Sequence, residues 1–376
     1  MATPTKRNNV VTLLSNLLLY TPGHSGFSSY VRRVMPGIPG PRLLLDAEQG
    51  AVCRLGDELP DALPRSLPLS ILQRLSLSQH GIDLKATLAE KKISAVSSPY
   101  CDALLSLKSV PQIITCHDLT PLYISNSRKA TWRYRLWTPV HLRHATLIIA
   151  ISRFVADQLI ALGMPAERIE VVWNGIAVER PRLATPASMD LVMLARHDKN
   201  KNVAYVMRAF GRLLERQPNW PGRLLVIGRR GRQSHDLQKI QRNLPRPERV
   251  ALIESVDGGD LCKMLRNSLA LISASTMEGF DYPVLEAKAE GLPTLISDIP
   301  VHRELHENTS LTFGLDDDGS QLIKMVTQLT KDNKLWTHLS TKGYTMAKNM
   351  GLEQQRQQIR EILTRVTPSL NWKTST

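Results

Sequence analysis

The sequence predicts an α/β protein of two doubly wound domains facing each other across a cleft. Three observations carry this. Short β-branched or Leu-rich runs alternate with longer amphipathic segments about six times, twice over. Many of those runs are continuously apolar, as strands buried on both faces of a parallel sheet are. The chain of 376 residues is too long for one compact α/β unit and suits two.

In the first half the predicted strands are Val10–Leu14, Leu43–Asp46, Ile93–Ser97, Gln112–Cys116, Leu147–Ile151 and Ile169–Val172. In the second they are Leu191–Ala195, Leu224–Gly228, Val250–Ile253, Leu269–Ala274, Thr294–Ser297 and Leu311–Phe313. Between Ala177 and Ser188 the pattern breaks at Pro181, Pro186 and polar residues. This puts one domain at residues 1–180 and a second at 181–350, with a tail at 351–376. The tail carries a Gln-, Arg- and Glu-rich helix over Gly351–Val366.

Composition narrows the partners. Lys and Arg number 48 against 34 Asp and Glu, a net charge of +14 that favours anionic partners without choosing among them. From Leu119 to Ala156 there is no acidic residue, while Arg128, Lys129, Arg133, Arg135, Arg143 and Arg153 are interleaved with Trp132, Tyr134 and Trp137. Such a stretch reads equally as a surface facing an anionic membrane or as a solvated helix with aromatic anchors in the core. Cys53, Cys101, Cys116 and Cys262 show neither metal-ligand nor disulfide spacing and read as core residues in a reducing compartment. Lys6 and Arg7 precede an apolar run to Tyr20, but Thr12, Ser15 and Asn16 interrupt it and no cleavage site follows. No segment reaches the ~20 apolar residues of a membrane span. The expectation is a cytoplasmic protein, with peripheral contact at the inner membrane face as one reading of the basic stretch.

In open parallel sheets, ligands bind beyond the carboxyl ends of the strands. The most informative such segment is Ser275-Thr-Met-Glu-Gly-Phe-Asp-Tyr-Pro-Val-Leu-Glu-Ala287. Glu278 falls in the loop, Pro283 opens a helix, and Glu286 lies one turn inside it. A phosphate at that helix N-terminus meets free N–H groups and the positive dipole end. The loop carboxylate can reach sugar hydroxyls and the helical one a ribose diol. Arg196-His-Asp-Lys-Asn-Lys-Asn202 follows another strand, where Arg196 and Lys201 can clamp a diphosphate from two sides.

Two further loops are less specific. Ile114-Thr-Cys-His-Asp-Leu-Thr-Pro121 sends His117 and Asp118 from the first domain into the cleft, where an imidazole can bind a hydroxyl or move a proton. Thr21-Pro-Gly-His-Ser-Gly-Phe-Ser-Ser-Tyr30 places Gly23 and Gly26 at a strand end, with Ser28 or Ser29 available to cap the next helix. Asp316-Asp-Asp318 has the form of a metal motif but precedes an amphipathic segment, so capping explains it better and no metal is expected.

These residues resemble glycosyltransferase family 4, retaining group 1 transferases with the GT-B fold: two Rossmann-like domains and a C-terminal helix that crosses back to the first. Glu278 and Glu286 look like that family's Glu-x7-Glu motif, Arg196 and Lys201 like its diphosphate clamp, and His117-Asp118-Leu119 like its His-Asp-Leu element. Ile151-Ser-Arg153, Val172-Trp-Asn-Gly175 and Ile299-Pro-Val-His-Arg-Glu304 are similar to its landmarks.

The resemblance implies an acceptor-binding first domain and a second domain that binds the nucleotide sugar. Glu278 and the N–H groups of Gly279, Phe280 and Asp281 would hold the donor sugar, and Glu286 the ribose. Arg196, Lys201 and the N–H groups of Val284 and Leu285 would hold the diphosphate, with Gly26 in the facing loop and His117 near the reacting centre. The implied activity moves a hexose, with mannose as the guess, from a nucleotide diphosphate sugar to a glycan or lipid-linked acceptor. It would proceed with retention, with no metal or other cofactor, and without nucleic acid. One departure stands out: Asp281 replaces the family's usual second Gly. The rival readings are a sugar-nucleotide epimerase of the same fold and a non-catalytic protein that binds membrane or nucleic acid.

Overall fold

A computed structural model of the chain describes residues 12–20, 26–46, 52–56, 58–59, 93–125, 128–182 and 185–367. Two sheets organise it. The first contains β1 (Thr12–Asn16), β2 (Arg42–Asp46), β3 (Val52–Gly56), β4 (Ile93–Ser98), β5 (Gln112–Cys116), β6 (Leu147–Ala150) and β7 (Ile169–Val171) in the order β3-β2-β1-β4-β5-β6-β7. The second contains β8 (Leu191–Leu194), β9 (Leu224–Ile227), β10 (Val250–Ile253), β11 (Ala270–Ser273), β12 (Thr294–Ser297) and β13 (Leu311–Phe313) in the order β10-β9-β8-β11-β12-β13. Apart from the antiparallel β2–β3 edge, the pairings are parallel. The two-domain α/β GT-B architecture is the expected one.

Differences lie at the edges. Of the expected strand Val10–Leu14, β1 covers Thr12 onward, and Val10 and Val11 lie with the rest of residues 1–11 outside the described ones. The edge strand β3 was not foreseen: Val-Cys-Arg-Leu-Gly is short, has no long apolar run, and is held by backbone pairing to β2. The helix α1 is described over Gly26–Val34, so Ser28 and Ser29 lie inside it rather than capping it, and Gly23 falls outside the described residues.

Two helices of the first domain flank the cleft, α2 (Thr120–Tyr123) and α3 (Arg128–His144), followed by α4 (Arg153–Ala161). The second domain carries α5 (Val203–Arg216), α6 (Ser234–Arg242), α7 (Gly258–Asn267), α8 (Tyr282–Ala289), α9 (Pro300–His306), α10 (Ser320–Lys331) and α11 (Asn333–Asn349). The last helix, α12 (Leu352–Val366), packs on the first domain, where Ile359, Ile362 and Leu363 join Leu13, Val31, Val34 and Ile149 in one apolar cluster. The chain crosses back beside Gly175, where a Cβ would stand 2.5 Å from the carbonyl oxygen of Gly351. Only glycine allows that approach.

The domains share an apolar seam. Ile114, Leu119, Ile151 and Val155 of the first pack with Phe280, Leu285, Val301 and Leu305 of the second. Glu304 stitches it further: its carboxylate accepts from the N–H groups of Arg153 (2.7 Å) and Phe154 (2.9 Å) at the start of α4, and from the indole of Trp173 (3.0 Å). A carboxylate at a helix N-terminus is favourably placed. The three landmark segments of the sequence are thus parts of one inter-domain joint.

Candidate active site

The loops after β5, β8 and β11 open into one cavity of about 390 Å³ between the domains. The first domain lines it with Gly26, Phe27, Tyr30, Tyr100, Asp102, His117 and Asp118, and with Tyr134, Trp137 and Thr138 of α3. From the second come Lys201 and the run from Glu278 to Pro283.

Glycine at 279 lets the halves meet. A Cβ there would stand 1.8 Å from the carbonyl oxygen of His117, and the hydroxyl of Ser152 donates to the Gly279 carbonyl at 2.7 Å. The loop bearing Glu278 is therefore seated directly against the strand end bearing His117.

Lys201 is the electrostatic centre. Its amine lies 2.7 Å from Glu278 Oε1 and 3.7 Å from Asp281 Oδ1. Burial opposes its charge, but the carboxylates of Glu278 and Asp281 override that and hold its pKa above the usual lysine value. Burial pushes Glu278 upward against the pull of Lys201. Asp281 goes the other way: burial again opposes ionisation, yet Lys201 and His302 hold it well below the usual carboxylate range. Its backbone is left-handed, φ 61°, a conformation Asp tolerates better than most residues. Its side chain accepts from Ser273 Oγ and, at 2.9 Å, from His302 Nε2.

His117 is half-buried and packed edge-on against Tyr30, with ring centres 4.5 Å apart. Its Nε2 lies 2.7 Å from the Pro99 carbonyl, which can only accept, so Nε2 carries the proton. Burial lowers its pKa, outweighing the opposing hydrogen bond to Pro99 and the pull of Asp118, and leaves the neutral ring with Nδ1 as an acceptor.

The cavity gathers Gly26, His117, Lys201, Glu278, Gly279, Phe280 and Asp281 of the expected residues, and Arg196, Val284, Leu285 and Glu286 do not line it. Arg196 is 64% exposed and pairs with Asp198 at 3.2 Å. Val284 and Leu285 are buried in α8, and the Val284 N–H already donates to the Asp281 carbonyl at 3.0 Å. Glu286 is engaged from the other domain by Arg33, 2.9 Å away. Arg33 and His302 were not singled out from the sequence. His302 stands inside the landmark Ile299–Glu304, but nothing in the pattern gave it a partner.

Two other expectations resolve clearly. Asp317 accepts from the N–H groups of Gly319 (2.9 Å) and Gln321 (2.8 Å), and Asp318 from that of Ser320 (3.2 Å), so this acidic run caps α10. On α3, Trp132 is 68% exposed and Trp137 borders the cavity, so neither aromatic anchors in the core. Among the described residues no helix is long and apolar enough to cross a membrane.

Comparison with known proteins places this geometry. The O-antigen chain mannosyltransferase RfbU of Salmonella typhimurium is 26% identical over 232 residues, covering 58% of this chain and 61% of that protein. The GDP-mannose:cellobiosyl-diphosphopolyprenol alpha-mannosyltransferase of Xanthomonas campestris is 27% identical over 199 residues, 52% of this chain and 51% of that one. The matched stretches span less than two thirds of either relative. In structure, sucrose-phosphate synthase from Thermosynechococcus elongatus aligns with a TM-score of 0.73 at 16% identity, over 95% of this chain and 100% of that one. Anabaena HepE in complex with UDP-glucose aligns at 0.68 and 15% identity, over 94% and 99%. At such identities these likenesses establish the fold. The family models for glycosyltransferase family 4 and for glycosyl transferases group 1 match residues 37–180 and 180–346, and the chain belongs to these group 1 glycosyltransferases of GT-B fold.

Proposed function

We propose that this glycosyltransferase moves a hexose, mannose by the analogy of its named relatives, from a nucleoside diphosphate sugar to a glycan or lipid-linked saccharide. It does so with retention at the anomeric carbon and without a metal. The observation that carries the reading is the Lys201 amine, held 2.7 Å from Glu278 and facing the His117 side of the inter-domain cavity.

As the bond from the anomeric carbon to the leaving diphosphate breaks, negative charge grows on the phosphate oxygens. A lysine kept protonated by two carboxylates meets that charge without prior reorganisation, the arrangement that contributes most to such steps. The acceptor oxygen attacks from the face the nucleotide leaves, and its proton passes to the departing phosphate oxygen. Glu278 accepts from donor-sugar hydroxyls, and Nδ1 of neutral His117 accepts one more. Arg196 and Glu286 reach the donor from outside the present cavity, by turning their exposed or half-exposed side chains toward diphosphate and ribose.

The same reading places the enzyme at an anionic membrane surface. On α3, Arg128, Trp132, Arg135, Leu136, Val140 and Arg143 are all exposed. At ~100° per residue they fall within an arc of about 140°. The cavity-lining Tyr134 and Trp137 lie on the adjoining face. A basic, aromatic face of this kind suits anionic headgroups and would bring a lipid-linked acceptor beside the cleft.

Thermal unfolding with UDP, GDP, ADP or CMP, each with EDTA present, tests the reading. A ligand at ~100 times its dissociation constant adds ~2.7 kcal/mol to the folded state. A shift with one nucleotide, lost in Lys201→Ala and Glu286→Ala, supports the donor site and names the base. No shift with any of them overturns it.

A further inference from the structure

The side chain at position 281 is where this chain departs from its family's usual glycine, and the structure surrounds it with partners from three adjacent strand ends. Ser273, the last residue of β11, donates to Oδ2. Lys201, in the turn after β8, faces Oδ1 at 3.7 Å. His302 donates to Oδ2 from α9 at 2.9 Å. His302 is itself completely buried, and its Nδ1 lies 2.8 Å from the carbonyl oxygen of Ser297, the last residue of β12. That carbonyl and the Asp281 carboxylate can each only accept, so both ring nitrogens carry a proton and both donate. With the ring held at Nδ1, Nε2 is aimed at Asp281, its one hydrogen-bond partner among the described residues.

A histidine buried merely to fill space does not usually find its two nitrogens engaged by a strand-end carbonyl and a cavity-lining carboxylate. Asp281 also accepts a left-handed backbone, φ 61°, to present its carboxylate there. Strained conformations of this kind persist where the surroundings over-determine them. The carboxylate in turn faces the group on which charge neutralisation depends.

We propose that His302 and Asp281 form a buried relay that positions Lys201: His302 aims the Asp281 carboxylate, and Asp281 with Glu278 fixes the amine against the leaving diphosphate. His302 is a positioning residue, because it touches neither substrate nor the cavity. The inference rests on the reading of Lys201 as the diphosphate clamp, and it adds the device that stands where other family members have glycine.

A double-mutant cycle tests it. His302→Phe removes both ring donors at similar size, Asp281→Gly restores the family's usual residue and suits the backbone, and the double variant combines them. His302→Gln returns one donor toward Asp281. With the full-length protein and the sugar nucleotide found to turn over, His302→Phe is expected to lower kcat by about tenfold or more while the donor KM moves less than about threefold. His302→Gln should recover most of the loss. In the Asp281→Gly background the His302→Phe change should alter kcat by less than about twofold, since a residue acting only through Asp281 has nothing left to aim.

A second readout needs no turnover. Acetylation of Lys201 by acetic anhydride, followed by mass spectrometry, should speed up about threefold or more in each single variant, because each unit lost from its pKa frees about ten times more amine. The double variant should match Asp281→Gly alone. Losses that multiply in the double variant, or a His302→Phe enzyme with unchanged kcat and labelling, overturn the relay. Should His302→Phe fail to fold, His302→Asn, whose shorter amide keeps the Ser297 contact but not the one to Asp281, takes its place in the cycle. A wild type that processes no sugar nucleotide defeats the transfer reading alone, and the labelling cycle still decides the relay.

Discussion

Nη2 of Arg33, in the first domain, lies 2.9 Å from Oε1 of Glu286, in the second. The guanidinium also sits 4.0 Å above the ring of Tyr282. Glu286 is the carboxylate assigned to the ribose, so a ribose diol that engages both of its oxygens must compete with Arg33 for one of them. Arg33→Met keeps the stem over Tyr282 and removes the competitor. A half-exposed ion pair is worth ~1 kcal/mol, so nucleoside diphosphate should bind about fivefold more tightly. Isothermal titration of the two proteins decides this, and weaker binding in the variant would make Arg33 a ligand of the nucleotide instead.

Gly279 is the position where the domains touch most closely. Alanine there would set its methyl 1.8 Å from the His117 carbonyl oxygen and 3.0 Å from Asp118 Cβ. Both obstacles follow directly on the buried strand β5, so the loop or the whole second domain must retreat. Gly279→Ala should lower kcat by about a hundredfold, the effect of an ångström's misplacement. Nucleotide binding through the rest of the second domain should survive. Steady-state kinetics beside a nucleotide thermal shift separates the two, and unchanged kcat would mean that the seam has slack.

How much of this was legible beforehand follows from what each residue depends on. Strands such as Leu147–Ala150 and Leu224–Ile227 stand out because burial on both faces demands an uninterrupted apolar run. The edge strand Val52–Gly56 needs only one partner and left no such signature. In the second domain, Glu278 and Asp281 follow one strand end and share a loop, so their proximity is written in their spacing. The Arg33–Glu286 pair joins residues 253 positions apart. Its formation depends on how two domains close, which no local pattern encodes. The α3 aromatics illustrate the limit from another side: helical periodicity gives the angular order of Trp132, Tyr134 and Trp137 but not which face the cleft occupies.

The exposed face of α3 should be read by lipids. Trp132→Ser with Arg135→Glu removes its most exposed aromatic and inverts one charge, without touching the cavity-lining Tyr134 and Trp137. Each basic residue near an anionic surface contributes ~1 kcal/mol, so co-sedimentation with phosphatidylglycerol vesicles should fall about tenfold or more. Transfer to a short water-soluble acceptor analogue should be retained. Equal co-sedimentation of wild type and variant would remove the membrane from the account of acceptor delivery.

A last expectation concerns stability. Lys288 is completely buried in α8, with its amine 3.1 Å from His306 Nδ1 and bonded to Thr309 Oγ1. No carboxylate is among these partners, and burial lowers its pKa well below the usual lysine value. The folded protein therefore holds Lys288 neutral over a range of pH in which the unfolded chain keeps it charged. Between those two pKa values the unfolded state binds more protons at this residue, so its contribution to stability rises with pH and is complete once the pH passes the unfolded value of about 10.5. Lys288→Met fills similar space with no charge to discard. It should be more stable than wild type by ~1–4 kcal/mol at pH 7, as when other buried charged groups are replaced by apolar ones. That advantage should shrink as the pH approaches 10. Urea unfolding at pH 7 and pH 9.5 measures both quantities, and a variant less stable at pH 7 would mean that the bonds to His306 and Thr309 outweigh the penalty of deprotonation.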